Sequence, residues 1–289
     1  MIGAADRRHR RHRLGAAQRR RQLAGDDRQR LPWPVVALAG ITLAFLAVPV
    51  IAILVRAPWR SLLRILREEQ AATALRLSLE TATVTTLVCL VFGTPLAWAL
   101  ARGRVPGRSV VRAVALLPLV LPPVAGGVAL LAALGRTGIV GRYLNRWFDF
   151  ALPFTTNGVV IAQTFVSMPF LILTVEGALR GTDRGLEEAA ATLGAGRWTI
   201  MRRITLPAIT PSLAAGCVLC WARALGEFGA TIIFAGNYPG TTQTMPIVVS
   251  LSLDDGTGEA TALAVVLLAV SLVVLVALRD RWLRPGPAP

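Results

Sequence analysis

The sequence predicts an all-α membrane protein with six transmembrane helices and a structured cytoplasmic loop between spans four and five. Three observations predict it. The chain has 289 residues, is 54% hydrophobic and has a mean hydropathy of +0.58, too apolar for an ordinary soluble domain. Its apolar residues gather into runs long enough to cross about 30 Å of hydrocarbon. Between two of those runs lies an island of charge and glycine, EEAAATLGAGRWTIMRRITLP at residues 187–207. A connection that only joined two spans would need no fixed pattern of helix, glycine break and helix.

Taken in order, residues 1–33 are an Arg-rich cytoplasmic tail with too few apolar residues to fold, and they are expected to be disordered. The tail reads as a solvated topogenic segment near anionic lipid, with nucleic-acid binding as the weaker alternative. His9 and His12 belong to it and are not expected to bind metal. Span one, about 34–55, sits between Trp33 and Arg56; its apolar run is too long for a signal-peptide core, so it is read as a retained helix. Span two covers about 76–100 and ends at Arg102, and a basic turn with Pro106 and Gly107 leads to span three, about 110–134. An external segment, 135–157, carries Tyr143, Trp147 and Phe148, the side chains expected at a membrane edge. Span four is about 158–179, span five about 207–234 and span six about 260–278. The membrane domain is therefore 34–279, followed by a short cytoplasmic tail, 280–289.

Proline and glycine interrupt the middle of this plan. Span three contains Pro118, Pro122, Pro123, Gly126 and Gly127, and span four contains Met168-Pro169. A broken helix is tolerated in lipid only where protein or a wet cavity satisfies the freed backbone groups. Spans three to five are thus expected to line a pathway, with spans one and six facing lipid or a partner. No internal repeat of the kind found in many secondary transporters is visible.

Charge sets the orientation. The basic residues other than histidine are all arginine. Counting the two sets of alternate segments gives 22 arginines against 8, with Arg223 left inside a span. The positive-inside rule then puts the N-terminus, the 180–203 loop and the C-terminus in the cytoplasm. The absence of lysine excludes a complete P-loop and a Schiff-base site, so any ATP dependence must be met by another polypeptide. No nucleophile–base pair, histidine cluster or paired carboxylates can be assembled within the spans; Glu80, Glu176 and Glu227 lie on different ones. No catalytic residue, metal site or bound cofactor is expected in the chain. Cys217-x-x-Cys220 has redox spacing, but its context is a spanning helix, so it and Cys89 read as buried small side chains.

In the loop, residues 183–193 suit a short helix capped by Asp183, with Glu187 and Glu188 near its positive end. Leu186, Ala189, Ala190 and Leu193 form one apolar face. Gly194 suits the left-handed backbone that stops a helix. A second short helix follows from about Arg197, and Pro207 opens span five.

The spacing Glu188-Ala189-Ala190, Gly194, Ile204, Leu206-Pro207 resembles the EAA loop of permease subunits of bacterial ABC importers. The resemblance implies that the bracket forms coupling helices docking in a cleft of an ATP-binding subunit, with Glu188, Ala189 and Gly194 carrying the contact. It further implies a homodimer of six-span permeases in a bacterial plasma membrane. Two ABC ATPase subunits would bind ATP and magnesium, and an extracytoplasmic oxyanion-binding protein would deliver the substrate.

The stretch from Trp221 to Thr231, followed by Gly236-Asn237 and Pro239-Gly240-Thr241-Thr242, is similar to the fifth span of molybdate permeases. Sulfate and thiosulfate permeases share its R-x-x-GE core, so the resemblance implies an oxyanion, molybdate (or tungstate) before sulfate or thiosulfate. It covers roughly residues 75–279. Arg223 and Glu227, four apart on one helix, can pair, either to hold span five against its neighbours or with Arg223 touching the anion. Thr231 is a candidate neutral donor along the pathway. A reading from a different class is a channel or an ion-driven secondary transporter.

Overall fold

The computed structural model describes residues 32–103 and 105–282, which are helical with no strand among them. The basic tail through residue 31 and residues 283–289 lie outside the described residues. Contacts divide the chain after Val55. The described part of the first unit is a single helix, α1 (Trp33–Arg56), which is 24 residues long and has no buried residue.

The second unit begins with α2 (Leu62–Arg67) and the 34-residue α3 (Glu69–Arg102). It continues through α4 (Arg108–Val120), α5 (Pro123–Leu134), α6 (Gly141–Phe148) and α7 (Thr156–Gly181). The loop bracket is α8 (Gly185–Thr192) and α9 (Arg197–Ile200), joined by a π-helical turn, Met201–Thr205, to α10 (Leu206–Leu225). Then come α11 (Gly229–Phe234), α12 (Met245–Asp255) and α13 (Thr257–Trp282).

The main core is where α3, α7 and α10 meet, around Cys89, Ala97, Leu100, Leu171, Ile172, Val175, Leu179, Ile209 and Cys220. In α3 the buried positions Ser78, Thr81, Thr85 and Cys89 recur every three or four residues, a helical stripe of small side chains. Small side chains let helix backbones approach closely where lipid supplies no hydrophobic drive. The Thr85 hydroxyl donates to Gln163 Oε1 at 3.1 Å, tying α3 to α7. A second core joins α2, α3, α12 and α13 through Ile65, Ala74, Met245 and Leu263, where the Met245 amide donates to Ser78 Oγ at 2.7 Å. The cysteines are free, and Cys89 and Cys220 are buried, as small core residues.

Five helices among the described residues are long and apolar enough to span a membrane, rather than six. The sequence reading of span three as one helix is corrected: it is α4 and α5, interrupted at Leu121-Pro122. Proline disfavours helical backbone in the residue before it, and Leu121 and Pro122 are extended at ψ 133° and 136°. Pro123 then takes the first turn of α5, where its missing N–H costs nothing. Pro118, by contrast, is carried inside α4. Span five likewise stops at Leu225, before Gly226, and resumes as α11. Span two starts earlier than expected, at Glu69.

Helix α12 lies within a stretch the sequence left as an external connection. At 11 residues it is about 16 Å long, half the hydrocarbon thickness. Gly256, at φ 140°, separates it from α13.

The two interruptions meet. A Cβ added at Gly229, the first residue of α11, would lie 2.7 Å from Pro123 Cβ at the start of α5. One added at Gly127 would lie 2.7 Å from Ile233 Cβ and 3.0 Å from the Ala230 carbonyl oxygen. Glycine is required here because any Cβ would meet the fixed Cβ and backbone atoms of the facing helix. We predict that Gly229→Leu lowers the thermal midpoint of the purified protein, with an overpacking cost of about 1–3 kcal/mol. Gly226→Ala is the control, since its Cβ would meet only the Ala222 carbonyl at an ordinary 3.6 Å. Equal midpoints for the two variants would contradict the packing account.

Candidate coupling loop and the joints that hold it

The loop is a helix, a left-handed stop and a second helix that runs on into the spanning rod. Asp183 Oδ1 accepts the Gly185 amide at 2.9 Å, so Asp183 supports the start of α8 as its residue type suggested. At the other end, the Ala195 amide donates to the Ala190 carbonyl and the Gly194 amide to the Ala191 carbonyl, each at 3.0 Å. With Gly194 at φ 85° this pair of bonds is a Schellman stop, which satisfies carbonyls that the helix end would leave bare.

The second helix is not separate from span five. Arg197–Leu225 is one 29-residue helical run, about 43 Å long at 1.5 Å per residue. Pro207 lies in the first turn of α10 and offers no N–H to the ladder. The chain answers by widening ahead of it: the Leu206 amide reaches the Met201 carbonyl, five residues back.

Glu188, Ala189, Gly194 and Pro207 are exposed, whereas Ala190, Ile204 and Leu206 are half-buried and Leu206 packs on the main core. Around the motif stand Leu186, Leu193 and Trp198, which are 67%, 88% and 70% exposed. Apolar side chains that open to water on a loop mark an interaction surface.

A residue the spacing did not single out fastens this surface. Glu187 points inward, and its Oε1 accepts from Arg102 Nη2 at 3.3 Å and from the Thr205 hydroxyl at 3.0 Å. Arg102 Nη2 also donates to the Thr182 carbonyl at 3.3 Å. One carboxylate thus joins the end of α3, the loop helix and the root of α10. No local pattern reveals it, because Arg102 and Glu187 are 85 positions apart.

A second carboxylate, Glu176, is 2% exposed and pairs with Arg180 on its own helix and with Arg112 of α4 at 3.4 Å. It locks α4 to α7 one turn before the loop begins.

Of the span-five candidates, Arg223 and Glu227 do pair, at 2.6 Å. They do not share one helix as expected, since α10 ends at Leu225. Glu227 stands in the break, 1% exposed, and its other oxygen accepts the Ala230 amide of α11 at 2.7 Å. It therefore neutralises Arg223 and caps the following helix at once. Thr231 is fully buried, with no partner for its hydroxyl.

A family model described as binding-protein-dependent transport system inner membrane component matches residues 93–287. The chain belongs to that family. Its place there makes it a membrane transport subunit rather than an enzyme, of a multi-pass inner-membrane type. Among relatives of this permease, the molybdenum transport system permease protein ModB of Mycobacterium tuberculosis is 44% identical over 247 residues, covering 85% of this chain and 92% of the relative. ModB of Escherichia coli is 41% identical over 210 residues, covering 73% and 92%. The sulfate transport system permease protein CysT of Escherichia coli is 35% identical over 229 residues, covering 79% and 82%.

The permease fold is shared with a chain of a bacterial alginate ABC transporter crystallised in complex with an alginate-bound periplasmic protein. The TM-score is 0.70 at 21% identity, with 86% of this chain and 93% of the other covered. A chain of the MetNI methionine ABC transporter in inward-facing form gives 0.58 at 17% identity, covering 73% and 94%.

Gly194 has open space beside it, so a side chain there would strain the backbone without clashing. Gly194→Val should cost about 1–2 kcal/mol locally and reduce transport by the assembled permease several-fold while membrane insertion is unchanged. Unaltered transport would count against the bracket as a working surface.

Proposed function

We propose that this chain is the membrane-spanning subunit of an ATP-driven importer of molybdate, acting as a homodimer. Two separate ATPase subunits would dock on Glu188, Ala189 and Gly194, and an extracytoplasmic oxyanion-binding protein would deliver the anion. In this reading the chain crosses the membrane six times, with α4 and α5 together making the third crossing, and both termini face the cytoplasm. ATP and magnesium belong to the ATPase partner, and the permease itself holds no cofactor.

The observation that carries the reading is the exposed bracket standing at the foot of one continuous helical run, Arg197–Leu225. A push on the loop is delivered to a rod that enters the bilayer, so closure of the ATPases can rock spans as rigid bodies. The 44% identity to a molybdenum permease, against 35% to a sulfate permease, favours molybdate over sulfate. The few charges inside the spans fit the transport of a dianion, since a deep cationic site would retain it. Neutral donors and backbone amides at the helix breaks are left to solvate it in passing, and the Arg223–Glu227 pair serves as a structural joint.

The test is uptake of radiolabelled molybdate by the permease reconstituted in proteoliposomes with its ATPase and binding protein. Uptake should require ATP, be competed by tungstate and be little affected by equimolar sulfate. Uptake that persists without the ATPase would instead favour a channel or secondary transporter, and stronger competition by sulfate would favour a sulfate permease.

A further inference from the structure

Helix α6 is eight residues long and divides sharply around its circumference. Tyr143, Leu144, Trp147 and Phe148 fall on one side at helical spacing, and Arg142, Asn145 and Arg146 on the other. Its position is fixed by backbone contact. A Cβ at Gly141 would lie 2.0 Å from the Gly135 carbonyl oxygen and 2.4 Å from that of Leu134, so only glycine lets α6 fold back against the end of α5. The Ile139 and Val140 amides close the corner by donating to the Ala132 and Ala133 carbonyls at 3.0 and 2.8 Å. Leu144 turns inward and packs on the buried cluster of Leu130, Leu152 and Phe234.

The rest of the apolar side is held outward. Trp147 and Phe148 are 69% and 70% exposed, with Ile139 beside them at 70%. Tyr143 and Trp147 pack in a tilted pair, with ring centroids 5.4 Å apart and planes at 45°. Arg142 lies over the Tyr143 ring at 4.7 Å and donates to its hydroxyl at 3.0 Å, which places a cation level with the polar edge of the aromatic group. Residues 135–154 contain Arg136, Arg142 and Arg146 against the single acid Asp149.

We propose that α6 is an interfacial anchor, with Trp147 and Phe148 seated at the acyl boundary of the bilayer and Arg142 and Arg146 bound to the phosphates of anionic phospholipid. A rigid apolar edge, backed by cations and placed between two apolar helices, matches the layered chemistry of a headgroup region. An excess of positive charge selects anionic over zwitterionic lipid. The anchor would hold the α5–α6 corner, and with it the Pro123–Gly229 contact, at a fixed depth while other helices move. This function does not depend on the substrate assigned above.

The test uses the purified full-length permease in nanodiscs without binding protein. Phosphatidylcholine brominated near the glycerol end of its chains should quench tryptophan emission, and Trp147→Phe should remove a distinct share of that quenching. Replacing part of the phosphatidylcholine with phosphatidylglycerol should raise the thermal midpoint, and the paired change Arg142→Gln and Arg146→Gln should cut that rise by about half or more. Quenching that is the same in Trp147→Phe, or an undiminished phosphatidylglycerol effect in the paired variant, would overturn the proposal. Shielding of Trp147 that arises only when the extracytoplasmic binding protein is added would also overturn it, by making α6 a protein-docking surface.

Discussion

A carboxylate taken out of water must be met by positive charge or by hydrogen-bond donors, and the energy of meeting it fixes whatever carries those groups. Glu187 is the place where this constraint organises the loop and the helices around it. Arg102 reaches it from the end of α3, the Thr205 hydroxyl from the root of α10, and its own helix carries the exposed Glu188 and Ala189. The loop is thus bolted to the membrane helices on both sides of it. Without the bolt, a helix of eight residues on a glycine stop would be free to yield under load.

Two further glutamates repeat the device. Glu176 joins α7 to α4 through Arg112, and Glu227 joins the end of α10 to the start of α11 through Arg223 and the Ala230 amide. Glu227 sits where one helix hands over to the next and Glu176 inside α7, and each is nearly inaccessible to solvent. The broken spans extend the same logic without charge. Pro123 and Gly229 put the two interruptions in contact, so the freed backbone groups of α5 and α11 lie against protein instead of lipid. In the proposed mechanism, these joints are what would carry a displacement of the loop to the segment where helical continuity fails.

Much of this was legible in the residues. The helix–glycine–helix bracket, the left-handed Gly194 and the Asp183 support follow from local propensity, and the structure has them where the spacing put them. The Arg223–Glu227 pair was also legible, though its placement on a continuous helix was not: Gly226 ends α10 and releases Glu227 to cap its neighbour. Hydropathy alone merged α4 with α5 because an apolar window takes no account of Leu121-Pro122, where proline sterics govern the backbone. It also passed over α12, whose apolar run is too short for a spanning window to register. The Glu187 joint and the Arg112 half of the Glu176 joint lay beyond sequence reasoning, since those arginines arrive from other helices.

The most direct test of the account is a double-mutant cycle at Arg102 and Glu187 in the reconstituted transporter, reading substrate moved per ATP hydrolysed. Arg102→Ala and Glu187→Ala should each lower that ratio while hydrolysis continues, and the double variant should be no worse than the poorer single. That non-additivity corresponds to a coupling of about 1–3 kcal/mol. Full additivity, or single variants with an unchanged ratio, would show that the loop transmits its motion without this joint.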